Sequence, residues 1–232
     1  MSREKQIFKA GSTTYYWSSI FFPEQTREDV FKLYSFVRVA DDFVDATPQD
    51  RKSFMQLKKA WFKIAKDGKA PSKKLSSDIR LVVQNMYEVY TKFAFSPDWI
   101  KAFLIAMEDD LSKKKYLNLK ETQAYMYGSA EVIGLMMAKI IGVPEKGYEA
   151  AQLQGRAMQY INFIRDVAED TVLGRQYIPT SELKKYGLPS LSAADAYRHP
   201  AAFRECIEAQ IDKYQKWQQQ AQAGFKYIPR SQ

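Results

Sequence analysis

A chain of 232 residues with 46% apolar side chains can bury one sizeable core but not two comfortable domains. Its one cysteine, Cys206, excludes an intrachain disulfide and a thiolate zinc site, and ten glycines with nine prolines are too few for a turn-rich sheet protein. The net charge of +8 suits a phosphorylated substrate, an anionic membrane surface, nucleic acid or simply a solvated lysine surface; no nucleic-acid-binding module accompanies it.

The stretch from Met1 to Ala10 is polar and charged, without the apolar core of a signal peptide. A first strong helix is expected over 24–46. Thr26 with Asp29 reads as a capping box, Glu28 and Asp29 suit the positive end of the dipole, and Thr47-Pro48 is the stop. Further helices are expected over about 50–66, 75–93, 97–112, 120–141 and 148–172. Gly68-Lys69-Ala70-Pro71, Ser96-Pro97 and Gly142-Val143-Pro144 separate them. A loop is expected from 174 to about 191, and a last helix over 201–223. His199, the only histidine, falls in the loop-like Tyr197-Arg198-His199-Pro200 and reads as a surface residue. The most apolar run, Val132–Val143, is interrupted by Lys139 and is shorter than the roughly 20 residues a bilayer requires. With no internal repeat and no period-two pattern, the expectation is one all-α domain over 1–232. It is expected to be cytoplasmic, with peripheral association at the inner membrane surface.

Two stretches carry chemistry. In Arg38-Val39-Ala40-Asp41-Asp42-Phe43-Val44-Asp45, Asp41 and Asp45 stand four apart and stack on one helical face. Val30, Tyr34, Val37 and Val44 lie within about 60° of Asp41 at roughly 100° per residue, so both carboxylates are expected on the core side. Carboxylates there need cations. Asp42 points about 100° away, toward solvent or a supporting position. The bland alternative is that both aspartates face water near a helix C-terminus, where like charges are unfavourable.

The second stretch runs from Gln159 to Asp170. Asn162, Asp166 and Asp170 recur every four residues as an oxygen-bearing ridge with Gln159 beside it, and Ala157, Ile161, Ile164 and Ala168 form the opposite apolar arc. Alone this is an ordinary amphipathic helix. Paired with the first ridge it suits magnesium, which takes hard oxygen ligands and binds few carboxylates plus substrate phosphates. Such ions stabilise a departing diphosphate. Arg38, Arg165 and Arg175 stand beside the acidic residues and suit phosphate oxygens. Tyr15, Tyr16, Phe21, Phe22, Tyr34, Tyr125 and Tyr127 are candidates for an aromatic, water-excluding lining, although plain core is the default reading of each. No Gly-rich phosphate loop, dinucleotide fingerprint or His-Glu-x-x-His motif is present.

These residues resemble the squalene and phytoene synthase family over essentially the whole chain. Asp41-Asp42-Phe43-Val44-Asp45, with Arg38 ahead of it, resembles the first Asp-rich motif, and Asn162 to Asp170 resembles the second. Gly174-Arg175-Gln176-Tyr177-Ile178-Pro179 comes next at the family's distance. Tyr125 to Gly134 resembles the preceding helix, and Ser18 or Ser19 ahead of Phe21-Phe22-Pro23 resembles the early Ser-Phe segment. The resemblance implies an isoprenoid synthase helical bundle with a central cavity. It implies magnesium, with manganese as a substitute, held by Asp41, Asp45, Asn162, Asp166 and Asp170. Arg38, Arg165 and Arg175 become diphosphate contacts, Tyr127 sits near the reacting carbons, and Gln159, Ser19 and Tyr34 are further substrate-side residues. The implied reaction joins two geranylgeranyl diphosphates to phytoene by way of a cyclopropylcarbinyl diphosphate, in carotenoid biosynthesis. The alternative within the family uses farnesyl diphosphate to make squalene or dehydrosqualene, with NADPH needed only for squalene. An alternative of another class is a non-catalytic relative serving as an assembly or binding protein, though such relatives typically have degraded Asp motifs. Ala221 to Arg230 resembles the segment after which members continue with further helices, so the fold is expected to be C-terminally short.

Overall fold

A computed structural model describes residues 2–11 and 13–231, with the side chains of Thr13, Thr14 and Tyr15 outside the description. In chain order the helices are α1 (Arg3–Gly11), α2 (Thr13–Ser18), α3 (Glu24–Asp45), α4 (Arg51–Asp67), α5 (Ser77–Lys92), α6 (Pro97–Asp110) and α7 (Leu119–Met126). A π-helical turn, Tyr127–Glu131, leads into α8 (Val132–Ile140). Then come α9 (Tyr148–Arg165), α10 (Val167–Val172), α11 (Thr180–Lys185), α12 (Ala193–Arg198) and α13 (Pro200–Gln222). Among the described residues there is no strand, only an isolated parallel bridge between Lys115 and Gln176. The expected all-α class is what is observed. No helix among the described residues is long and apolar enough to cross a membrane.

Local chemistry starts and stops several helices where the sequence says it should. The Asp50 carboxylate accepts from the Ser53 N–H at 3.0 Å at the head of α4, and Gly68, at φ 68°, ends it. Asn118 caps α7 by accepting from the Glu121 N–H at 3.0 Å. The capping box expected at the head of α3 does not form. The helix begins at Glu24, as expected, after the extended Pro23, so Thr26 lies inside it and no side chain caps it. Asp29 lies inside the helix, buried, and the Lys92 ammonium approaches its carboxylate to 2.6 Å. Pairing with α5 has won over a local cap.

Contacts gather into two compact units, one of residues 1–98, 136–143 and 228–232, the other of 99–135 and 144–227. In the first, α3 is the centre, with α1, α4 and α5 packed on it. Phe8 of α1 meets the ring of Phe31 edge-on with centroids 5.2 Å apart, and Phe36 meets Trp61 of α4 at 5.7 Å. Helices α1 and α2 were not expected from so polar a start; Ile7 and Phe8 are the two residues that bury α1.

In the second unit α9 and α13 form the main pair. The Tyr160 hydroxyl of α9 donates to Gln210 at 2.7 Å, and its ring meets Trp217 edge-on. The helix expected over 120–141 is broken by the π turn, and that over 148–172 is broken at Asp166, whose φ of −95° and ψ of 11° leave the helical region. The expected loop after 174 holds α11 and a small core of Ile178, Leu183, Leu188, Leu191 and Cys206.

Close backbone approaches occur at three glycines in and beside the π turn. A Cβ on Gly128 would lie 2.5 Å from the Ala102 carbonyl oxygen. One on Gly155 would lie 2.6 Å from the Ala130 oxygen, and one on Gly134 2.5 Å from the Ala151 oxygen. Backbone therefore meets backbone on both sides of the turn. Glu131, its last residue, is buried and takes two bonds from Arg156 of α9, at 2.6 and 3.1 Å. The Arg156 guanidinium also lies over the Trp217 ring, 5.6 Å from its centroid.

Candidate active site

The first acidic stretch occupies the last turns of α3, in the first unit. Residues just beyond the end of this helix close it: the Asp50 N–H donates to the Phe43 carbonyl at 2.8 Å and the Gln49 amide to the Val44 carbonyl at 2.6 Å. Val30, Leu33, Phe36, Ala40 and Val44 are buried, whereas Tyr34, Val37, Arg38 and Asp41 form a half-buried border and Asp45 is exposed. The carboxylates therefore stand at the margin of the apolar arc and not within it, a correction to the expected core-side placement. Asp41 keeps 36% of its side chain exposed. Arg38 reaches Asp42 at 2.6 Å and Asp41 at 3.4 Å. Partial burial opposes its charge, but Asp42 and Asp41 outweigh that and hold the guanidinium protonated more firmly than usual.

Helix α1 touches this border. A Cβ on Gly11 would come within 2.8 Å of the Tyr34 hydroxyl and 2.9 Å of Arg38 Cδ. Gly11→Ala should displace both ends, raising KM for the substrate several-fold while the melting midpoint stays close to that of the parent protein; steady-state kinetics with a melting curve check this, and an unchanged KM would separate Gly11 from the site. Ser19, in the short 3₁₀ turn Ser19–Phe21, is buried, and its hydroxyl donates to the Tyr16 carbonyl at 2.6 Å.

The second stretch spans the junction of α9 and α10, in the second unit. Although α9 ends at Arg165, the four-residue steps survive the turn. The Asp166 N–H donates to the Asn162 carbonyl at 2.8 Å and the Asp170 N–H to the Asp166 carbonyl at 2.8 Å. The Arg175 N–H then donates to the Asp170 carbonyl at 2.7 Å. Arg165 grips the Asp166 carboxylate with two bonds, at 2.6 and 2.7 Å. Gln159, Asn162, Asp166 and Asp170 are all half-buried, and the exposed positions are Arg165, Ala168 and Glu169. A simply solvated acidic face would show the opposite. Of the expected apolar arc, Ala157 is buried, Ile161 and Ile164 are half-buried, and Ala168 is exposed, because the turn at Asp166 shifts the phase; Tyr160 and Phe163 supply the burial instead. Tyr127 opens the π turn and is half-buried.

The aromatic lining divides. Tyr16 is core, packed on Phe31 with rings nearly parallel, and Phe21 is 81% exposed. Tyr15 lies outside the described side chains. Tyr125 is buried in an aromatic box with Tyr116, Tyr177 and Phe163, built around the buried carboxylate of Asp110. The Tyr125 hydroxyl donates to Asp110 at 2.7 Å and that of Tyr177 at 3.2 Å. Burial foremost, and then the charge of Asp110, push the phenols of Tyr116, Tyr125 and Tyr177 far above their usual range, so they remain protonated. Asp110 escaped the reading of the sequence, where it is one of two aspartates ending a helix.

Among the described residues no three His, Cys, Asp or Glu side chains stand close enough together to hold a metal ion by themselves. Both acidic stretches nevertheless fit magnesium: their donors are hard oxygens, and Asp41 and Asp166 keep about a third of their surface open. Magnesium needs only one or two carboxylates when phosphate oxygens and water complete its shell.

The profile of the squalene/phytoene synthase family matches residues 8–232. The 15-cis-phytoene synthase of Enterobacter agglomerans is 27% identical over 230 residues, covering 95% of this chain and 76% of that protein. The 15-cis-phytoene synthase of Synechococcus elongatus is 24% identical over 240 residues, covering 97% and 75%. Among solved structures, a dehydrosqualene synthase in complex with ligand superposes with a TM-score of 0.85 at 22% identity, over 98% of this chain and 77% of that one. The squalene synthase HpnC from Alicyclobacillus acidocaldarius does so at 0.80 and 19%, over 97% and 83%. The fold is the helical fold of these synthases.

Proposed function

The chain belongs to the squalene/phytoene synthase family of prenyltransferases, and we propose on that basis that it condenses two geranylgeranyl diphosphates head to head into phytoene. What carries the reading is the pair of acidic stretches, each part-buried and each with an arginine already bonded to its carboxylates. Each stretch has the chemistry to bind a phosphate group in competition with the bonds its arginine makes. No observation favours a non-catalytic role.

In this reading Asp41 and Asp45 on α3, and Asn162, Asp166 and Asp170 at the α9–α10 junction, hold magnesium. Ions bound at each stretch would supply positive charge to stabilise a departing diphosphate. Arg38 exchanges its bonds to Asp41 and Asp42 for phosphate oxygens, and Arg165 does the same from Asp166. Arg175, held by its backbone at Asp170, adds a third guanidinium. Tyr127, fixed by the glycine-lined π turn, offers its ring face to developing positive charge on carbon. Tyr34 borders the first stretch and Gln159 the second, and each orients the substrate beside it. The naming of the curated relatives favours the C20 substrate over the C15 one.

The test is incubation of the purified chain with magnesium and, separately, geranylgeranyl or farnesyl diphosphate, with analysis of the extracted hydrocarbons. A C40 product from the first is expected. A C30 product from the second alone would move the protein to the squalene branch. No hydrocarbon from either, with and without NADPH, would end the head-to-head reading.

A further inference from the structure

Asp110 ends α6, where the helix carbonyls already concentrate negative charge, and its carboxylate is buried. Both conditions work against an anion, and the hydrogen bonds it accepts offset them. The carboxylate accepts from Tyr125 at 2.7 Å with one oxygen and from Tyr177 at 3.2 Å with the other, and Tyr177 stands two residues after Arg175. The Tyr177 ring lies flat on Phe163, the neighbour of Asn162, with centroids 4.4 Å apart and planes within 5°. One side chain thus joins the end of α6, the second acidic stretch and the segment that carries Arg175.

The backbone of that segment is fastened in the same place. The Gln176 N–H donates to the Lys114 carbonyl at 2.8 Å and the Thr180 N–H to the Tyr116 carbonyl at 2.9 Å. The Thr122 hydroxyl donates to the Tyr177 carbonyl at 3.0 Å. A segment of six residues, 174–179, with no regular structure of its own is therefore pinned at both ends and, through Tyr177, in its middle.

We propose that Asp110 is a positioning residue for diphosphate binding, fixing Tyr177 and through it the presentation of Arg175 beside Asp170. This rests on the head-to-head reading above, because Arg175 has a diphosphate to bind only if that reading holds.

The experiment is calorimetric titration of the full chain with inorganic pyrophosphate in the presence of magnesium, for the parent protein, Arg175→Gln, Tyr177→Phe, Asp110→Asn and the double variant Tyr177→Phe/Arg175→Gln. Tyr177→Phe keeps the ring on Phe163 and removes only the hydroxyl, so it decides the matter even if Asp110→Asn fails to fold. It should weaken pyrophosphate binding about fivefold, the scale of one ordinary hydrogen bond, because most of the lost Tyr177–Asp110 bond falls on stability and only part on binding. In the Arg175→Gln background the same change should add less than about twofold, since its route runs through Arg175. Parent-like binding by Tyr177→Phe, including the case where only its melting midpoint falls, would overturn the proposal. So would additive losses, or unaltered binding by Arg175→Gln. Absence of pyrophosphate binding by the parent protein would instead sink the functional reading along with it.

Discussion

Asp166→Asn is expected to lower turnover by about a hundred- to a thousandfold with the helices intact, the scale on which one well-placed electrostatic contact acts in a transition state. Asparagine keeps the volume and one oxygen but gives up the charge that a cation requires. The loss should fall on kcat at saturating magnesium, and the magnesium dependence should shift to higher concentration. Stability should barely change, because Arg165, the ion-pair partner, is 68% exposed and such pairs contribute at most about 1 kcal/mol. Asp41→Asn should behave likewise. Near-native turnover by either variant, measured as prenyl diphosphate consumed per enzyme per second, would remove these carboxylates from the site.

The largest effect on stability is expected at Arg156. Truncation to alanine strands the buried carboxylate of Glu131 and strips the cation from the face of Trp217. Breaking a buried pair by removing one partner costs about 3–5 kcal/mol. For a chain of this length that corresponds to a fall in melting temperature on the order of 10 °C. Replacing both partners with apolar residues, Glu131→Leu with Arg156→Met, should recover much of the loss, because no charge is then left buried alone. Differential scanning calorimetry on the three proteins distinguishes these outcomes, and a midpoint for Arg156→Ala within about 2 °C of the parent would show that the pair stabilises little.

Much of the fold was legible because helix signals are local. The break at Gly68 ends a helix at positive φ and that at Ser96-Pro97 begins one, while Asp50, Ser76 and Asn118, none of them among the expected caps, cap helices that start within two residues of the expected positions. The breaks were not legible because their causes lie elsewhere in the chain. At the π turn the Ala102 carbonyl approaches Gly128, and beside it the Ala151 carbonyl approaches Gly134, carbonyls that no window around Tyr127 contains. Asp29 looked like a cap and is instead the partner of Lys92, sixty-three residues away. The same division holds at the site. The four-residue spacing of Asp41 with Asp45, and of Asn162 with Asp166 and Asp170, is visible in the sequence. The phase slip at Asp166 is not, and neither is the Asp110–Tyr177 bond, which joins residues sixty-seven apart. Gly11 gave no signal either, since its role is only to leave room for Tyr34 and Arg38.

The glycines around Tyr127 have a consequence for anyone who would re-engineer this protein. Where main chain rests directly on main chain, no side chain serves as a spacer, so none can be exchanged to adjust the gap. The turn is a fixed datum in the second unit. Repacking of Tyr160, Phe163 or Trp217 alters volumes around it but leaves Ala102, Ala130 and Ala151 where they are. If the proposed function holds, efforts to change chain-length preference would treat the position of Tyr127 as given and vary the side chains around it, whereas any substitution at Gly128, Gly134 or Gly155 shifts the reference itself.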